Sequence, residues 1–138
     1  MTAGSVVLVS LGATPPGEAL LAGVHRLQET GHRVTLISRT PPVRDLAETL
    51  DLRVPVGRPV LLGAGGQQRI SKIVMDPHRL PGATQILLDG TTRRLVTSAD
   101  VLVAVDAAAL PATWLAARVN RRAIAVNGLP AALARLDR

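Results

Sequence analysis

The residues with the spacing to do chemistry begin in one loop, Ser10-Leu11-Gly12-Ala13-Thr14-Pro15-Pro16-Gly17-Glu18. It follows an apolar run and leads into helical periodicity, the junction at which nucleotide-binding folds hold an anion. Gly12 and Gly17 are separated by four residues, as in a P-loop, whose next positions supply a lysine for the phosphates and a hydroxyl for magnesium. Here those positions hold Glu18 and Ala19. A carboxylate at the first helical turn stands where the helix dipole would favour a bound anion, and it would repel a phosphate. Pro15 and Pro16 also remove two backbone donors. The stretch therefore reads as a strand-to-helix turn shaped by Gly12 or Thr14, and no nucleotide cofactor is implied.

The other candidates are weaker. Gly63-Ala64-Gly65-Gly66-Gln67-Gln68 is close to a dinucleotide fingerprint but lacks its last glycine and follows the third strand instead of the first, so it reads as a loop. Arg39, just past the second strand, stands where an arginine for a 2′-phosphate would stand. Glu18 and Asp106 both fall near the carboxyl edge of the expected sheet and could form an acid/base pair, but Asp106 is equally suited to cap the helix after it. No Gly-x-Ser-x-Gly occurs, and His25, His32 and His78 have no ligand spacing, so neither a nucleophile nor a metal set is assigned. If a small ligand binds, the expected set is Gly12, Thr14, Arg39, Asp106 and Asn127, all at the carboxyl edge; no residue is assigned a catalytic role.

The elements that must position these residues are set by the hydrophobic pattern. Residues 5–11, 33–38, 100–106 and 122–127 are short apolar runs without alternation, as in strands covered on both faces. Residues 52–56 form a weaker third strand, which Pro55 assigns to a sheet edge. Between the first two, Leu20, Leu21, Val24 and Leu27 make one helical stripe ending at Gly31. Val43, Leu46 and Leu50 mark a short helix. Leu110, Trp114 and Ala117 are read as the inward stripe of a later helix, and Pro130 opens a last one through Leu133 and Leu136. Over 84–98 a crossover helix is preferred to a hairpin at Asp89-Gly90, and a short helix is expected near 66–75. Strands alternating with helices give an α/β, Rossmann-like three-layer domain, a mostly parallel sheet of order 3-2-1-4-5 in a single domain spanning 1–138.

Composition bounds the function. The chain has 138 residues, is 47% hydrophobic and contains no cysteine, so disulfide, thiolate-metal and cysteine-nucleophile chemistry are excluded. Trp114 is the only aromatic residue. The net charge of +6 is carried almost entirely by arginine, Lys72 being the sole lysine. That charge would permit contact with nucleic acid, but the arginines are scattered and stacking platforms are lacking, so nucleic acid is disfavoured as a partner. No apolar run reaches membrane-spanning length and no basic leader is present, giving the expectation of a cytoplasmic protein without a membrane span.

The run 98–133, Ser98-Ala99-Asp100-Val101 through Leu133, resembles the amino-terminal half of GT-B glycosyltransferases of the retaining family-four type, and so does the stretch 6–39 with its Gly31-His32-Arg33-Val34-Thr35 join. Together these cover roughly half of the chain. The resemblance implies a Rossmann-like fold, with Asp106 matching the family's aspartate after its fourth strand. The family's two histidines before that aspartate fall on Val103 and Val105, and its later Asp-x-His-Glu turn falls on Asn127-Gly128-Leu129-Pro130. The donor-binding half of such an enzyme is not within these residues. The expectation is therefore a non-catalytic GT-B-like domain that associates with a partner protein or with itself as a homodimer. The alternatives are the acceptor-side subunit of a split glycosyltransferase and a small-ligand-binding regulator.

Overall fold

In the computed structural model, which describes residues 4–12, 17–55, 69–70 and 90–137, every strand joins one all-parallel sheet. The strands are β1 (Ser5–Ser10), β2 (Arg33–Ser38), β3 (Leu52–Pro55), β4 (Arg69–Ile70), β5 (Val101–Ala104) and β6 (Ile124–Asn127). Their spatial order is β4-β3-β2-β1-β5-β6. The expected order 3-2-1-4-5 is therefore present, its fourth and fifth strands being β5 and β6, with one further short strand outside β3. The helices are α1 (Leu21–Glu29), entered through a 3-10 turn at Glu18–Leu20, α2 (Arg44–Thr49), α3 (Gly90–Ser98), α4 (Leu110–Val119) and α5 (Leu129–Leu136). No helix among the described residues is long and apolar enough to cross a membrane.

The central strands are apolar on both faces because both faces are covered. Val6, Leu8, Val34, Leu36, Val101 and Val103 pack under α1, α2 and α5, with Val24, Leu27, Leu46 and Leu129. Val7, Val9, Ile37, Val54, Leu102 and Ala104 face the other way, against α3 and α4 through Val96, Ala112 and Ala116. The register is continuous across the centre: Leu8 lies beside Leu36 on one side and Val103 on the other. Each such fully buried side chain contributes about 1.5–3 kcal/mol of transfer free energy, so aliphatic residues alone suffice for the core.

Helix limits reflect local chemistry. Gly31 takes φ +87°, the left-handed conformation of a helix C-terminus, and its N–H bonds to the Gln28 carbonyl at 2.9 Å. Val24 and Leu27 of the expected stripe are buried, and Leu20 and Leu21 pack against the same cluster. The crossover reading of 84–98 holds over Gly90–Ser98, where Gly90 begins a helix instead of a hairpin turn. Residues 84–89 and the 63–68 loop lie outside the described residues.

Three expectations are corrected. Arg69 and Ile70 pair with Leu52 and Arg53 in parallel, so this part of 66–75 is strand. Pro55 does not put β3 at the edge. Its partner on β2 is Ser38, and β4 lies outside β3, pairing with Leu52 and Arg53. In α4 the inward residues are Ala112, Thr113 and Ala116, whereas Leu110 is 39% and Trp114 62% exposed. Three-residue spacing fits either flank of a helix, and small alanines are what allow α4 to lie close on the sheet.

Candidate functional site

The carboxyl edge of the sheet is organised by Asp106, just beyond β5. Its carboxylate accepts from Ser10 Oγ at 2.8 Å and from the backbone N–H groups of Gly12 at 3.1 Å, Leu11 at 3.3 Å and Ala109 at 3.0 Å. The Ala109 bond is an N-cap on the 3-10 turn Ala107–Ala109 that opens α4. The other three tie the end of β1 to the end of β5. Both oxygens are thus engaged twice, once the capping and clamping bonds are counted together. The carboxylate joins three chain segments through four donors. Gly12 lies close beside it: a Cβ there would meet Asp106 Oδ2 at 3.1 Å, and the carboxylate would have to give by a few tenths of an ångström.

The structure brings Gly12 and Asp106 into direct contact and leaves the other candidates apart. Arg39 is exposed at the end of β2, its N–H bonded to the Ser10 carbonyl. Asn127 ends β6, paired in register with Ala104. Three strand spacings separate β2 from β6, about 14 Å, so Arg39 and Asn127 stand on different parts of this edge. Thr14 lies outside the described residues. Glu18 is exposed in the 3-10 turn before α1. Val103 is fully buried in the core and Val105 is half-buried, where the GT-B resemblance sets histidines. His32 is buried and shares a 2.8 Å hydrogen bond with Thr30 Oγ1 at the end of α1; His25 is exposed on α1.

Sequence reasoning missed a second feature of this face. Arg53 is 1% exposed, and among the described residues its Nε, Nη1 and Nη2 have no hydrogen-bond partner; the one other such buried atom there is Ser38 Oγ. Burial pulls the Arg53 guanidinium below its ordinary range. The two residues belong together. Arg53 pairs in register with Leu36, whose side chain packs under α1 and α2, and alternation along β2 turns Ser38 to that same face. They are diagonal neighbours on adjacent strands. Leaving a cation unpaired in the interior costs several kcal/mol, and an orphaned hydroxyl about 1–3 kcal/mol. The signal in the sequence was an arginine inside Leu52-Arg53-Val54, but on a strand assigned to the sheet edge a solvated arginine is ordinary.

The third feature is the outer side of β6, which no strand among the described residues covers. The N–H groups of Ile124 and Gly128 bond to the carbonyls of Asp100 and Ala104, so these residues turn their backbone toward β5. In a parallel ladder the residues between them alternate. Ala125 and Asn127 therefore direct N–H and C=O outward. On one face of this edge stand Ile124, 38% exposed, and a hollow lined by Val126, Ala131, Ala134 and Arg135. On the other, Asn120 Nδ2 ties the end of α4 to the Val96 carbonyl of α3 and to that of Ala99 just past it. The right-handed crossover then leaves Leu110 and Trp114 on the flank of α4 away from α3, beside the open edge. Arg118 lies 4.8 Å from the Trp114 ring centroid, and Arg121 and Arg122 are exposed in the turn into β6.

At the opposite, amino edge, a cavity of about 520 Å³ is bounded by Arg33, Thr35, Asp51 and Leu52. Asp51 is already engaged there, accepting from the Val34 N–H at 2.7 Å. Among the described residues no three His, Asp or Glu side chains are grouped to hold a metal ion. Comparison with protein-family models, with curated proteins and with solved structures finds no match.

Proposed function

We propose that this chain is an association domain whose partner adds a strand to the open side of β6. The observation that carries this reading is the juxtaposition at one edge of unpaired backbone groups on Ala125 and Asn127 with exposed Ile124, Leu110 and Trp114. Exposed edges are ordinarily blunted by charge, proline or covering elements, and β6 itself carries neither a charged residue nor a proline. Main-chain bonds to an added strand supply affinity, and flanking apolar side chains supply pockets for alternate residues of the partner. Tryptophan and arginine are also the residue types that most often dominate interface energies.

The rim selects the partner. Arg118, Arg121, Arg122 and Arg135 surround the edge, and Asp137, the acid at the end of α5, is already paired with Arg26. A second copy placed across β6 would bring two such arginine sets together, with like charges opposing the contact. A partner strand with alternating apolar and acidic residues fits instead. The resemblance to a GT-B amino-terminal half is compatible with such a partner being another protein chain of the same assembly.

The test is binding of a labelled peptide of alternating glutamate and valine, followed by fluorescence anisotropy, beside its lysine-valine counterpart. The acidic peptide binds, more weakly as salt is raised, and the basic one does not. In sedimentation velocity the chain alone is expected to run as a monomer. A concentration-dependent dimer that the acidic peptide does not disturb would replace this reading with self-association, and preference for single-stranded nucleic acid over both peptides would refute it.

A further inference from the structure

The same sheet holds a second arrangement, independent of the β6 edge and on the far side of the molecule from it. Four polar atoms are buried without a partner among the described residues: the three guanidinium nitrogens of Arg53 and the hydroxyl of Ser38. They project from adjacent strands to one face, Ser38 from the carboxyl end of β2 and Arg53 from within β3. Nothing among the described residues accounts for them. An apolar side chain at position 53 would lie beside Leu36 without this cost, since replacing a buried charge by a hydrophobe of similar volume is often neutral or stabilising. Neighbouring residues satisfy the same kinds of group well: Ser10 Oγ, in register with Ser38, donates to Asp106.

We infer that Arg53 and Ser38 form the receptor for an oxyanion, a carboxylate or phosphate group, at the β2–β3 end of the sheet's carboxyl edge. The guanidinium presents a planar fork that matches two oxygens of such a group. Ser38 Oγ supplies one further donor from the next strand. An anion there would neutralise the one buried arginine of the described residues and use the donors that are otherwise unmet. The anion-binding function is thereby moved away from the Gly12–Gly17 turn, where Glu18 opposes it, and away from exposed Arg39.

The experiment is thermal unfolding of the intact chain titrated with inorganic phosphate and, separately, with acetate, at constant ionic strength. The substitutions are Arg53→Met and Ser38→Ala. Phosphate or acetate raises the melting temperature of the unmodified chain along a saturating curve, because a ligand that binds only the folded state stabilises it. Phosphate alone acting assigns a phosphate group; both acting with acetate the tighter assigns a carboxylate. Arg53→Met melts higher than the unmodified chain in anion-free buffer and loses the saturating response. Ser38→Ala keeps the fold and responds at higher anion concentration. A response to neither anion, or an undiminished response in both variants, overturns the assignment. If Arg53→Met does not fold, the response of Ser38→Ala and the titration of the unmodified chain still decide it.

Discussion

Asp106 caps the turn into α4 and holds the ends of β1 and β5 together with one carboxylate. Its position before Ala107-Ala108-Ala109 reads as a helix cap, and it does accept from the Ala109 N–H. The same carboxylate also takes Ser10 Oγ and the backbone donors of Leu11 and Gly12, just past β1, from 94 to 96 residues away in the chain, which no local pattern could reveal. Asp106→Ala should therefore cost more than a lost cap. Four donors lose their acceptor, and a loss of roughly 2–4 kcal/mol is expected, with Asp106→Asn retaining part of it; urea unfolding of the two variants measures this. Trp114 is the converse case. Read as core, it would cost about 3–5 kcal/mol on truncation. Trp114 is exposed on α4 with Arg118 over its ring, and its replacement by alanine should cost at most about 0.5–1 kcal/mol. Its fluorescence should be red-shifted and readily quenched in the isolated chain; an emission typical of a dry core would refute the exposed placement.

At the scale of elements, the alternation of buried strands and helices was legible because each central strand is an unbroken apolar run and each crossover carries a helical stripe. What escaped was anything decided by a neighbour distant in sequence. Which flank of α4 faces the sheet depends on Ala112 and Ala116 fitting beneath it, and β4 exists only through its pairing with Leu52 and Arg53. Helix packing has a comparable hidden requirement at Gly23. A Cβ there would come within 2.9 Å of Leu129 Cγ, in the contact between α1 and α5. Alanine gains about 1 kcal/mol of helix propensity over glycine, yet overpacking of this kind costs about 1–3 kcal/mol. Gly23→Ala should thus fail to stabilise the chain and should lower its melting temperature. The β6 edge makes a sharper comparison between neighbours. Val126→Pro removes a ladder bond to β5 and should cost about 1–3 kcal/mol. Ala125→Pro removes only an outward N–H, and it should leave denaturant unfolding much less affected.

Across the whole molecule, the parallel sheet ends in two edge strands, β4 and β6, and beyond neither does a further strand lie among the described residues. At β6 the ladder stops at residues with apolar neighbours and an arginine rim. That apolar, arginine-rimmed edge carries the proposal of a partner strand. Amide hydrogen exchange resolved by NMR tests it most directly. In the chain alone, the Ala125 and Asn127 amides exchange rapidly while that of Val126 is protected by β5. With the glutamate-valine peptide at saturation, Ala125 and Asn127 become protected, and in Ala125→Pro the peptide no longer protects Asn127. Bound peptide that leaves both amides exchanging at their free rate, or protection of both amides in the chain alone, would contradict strand addition at β6.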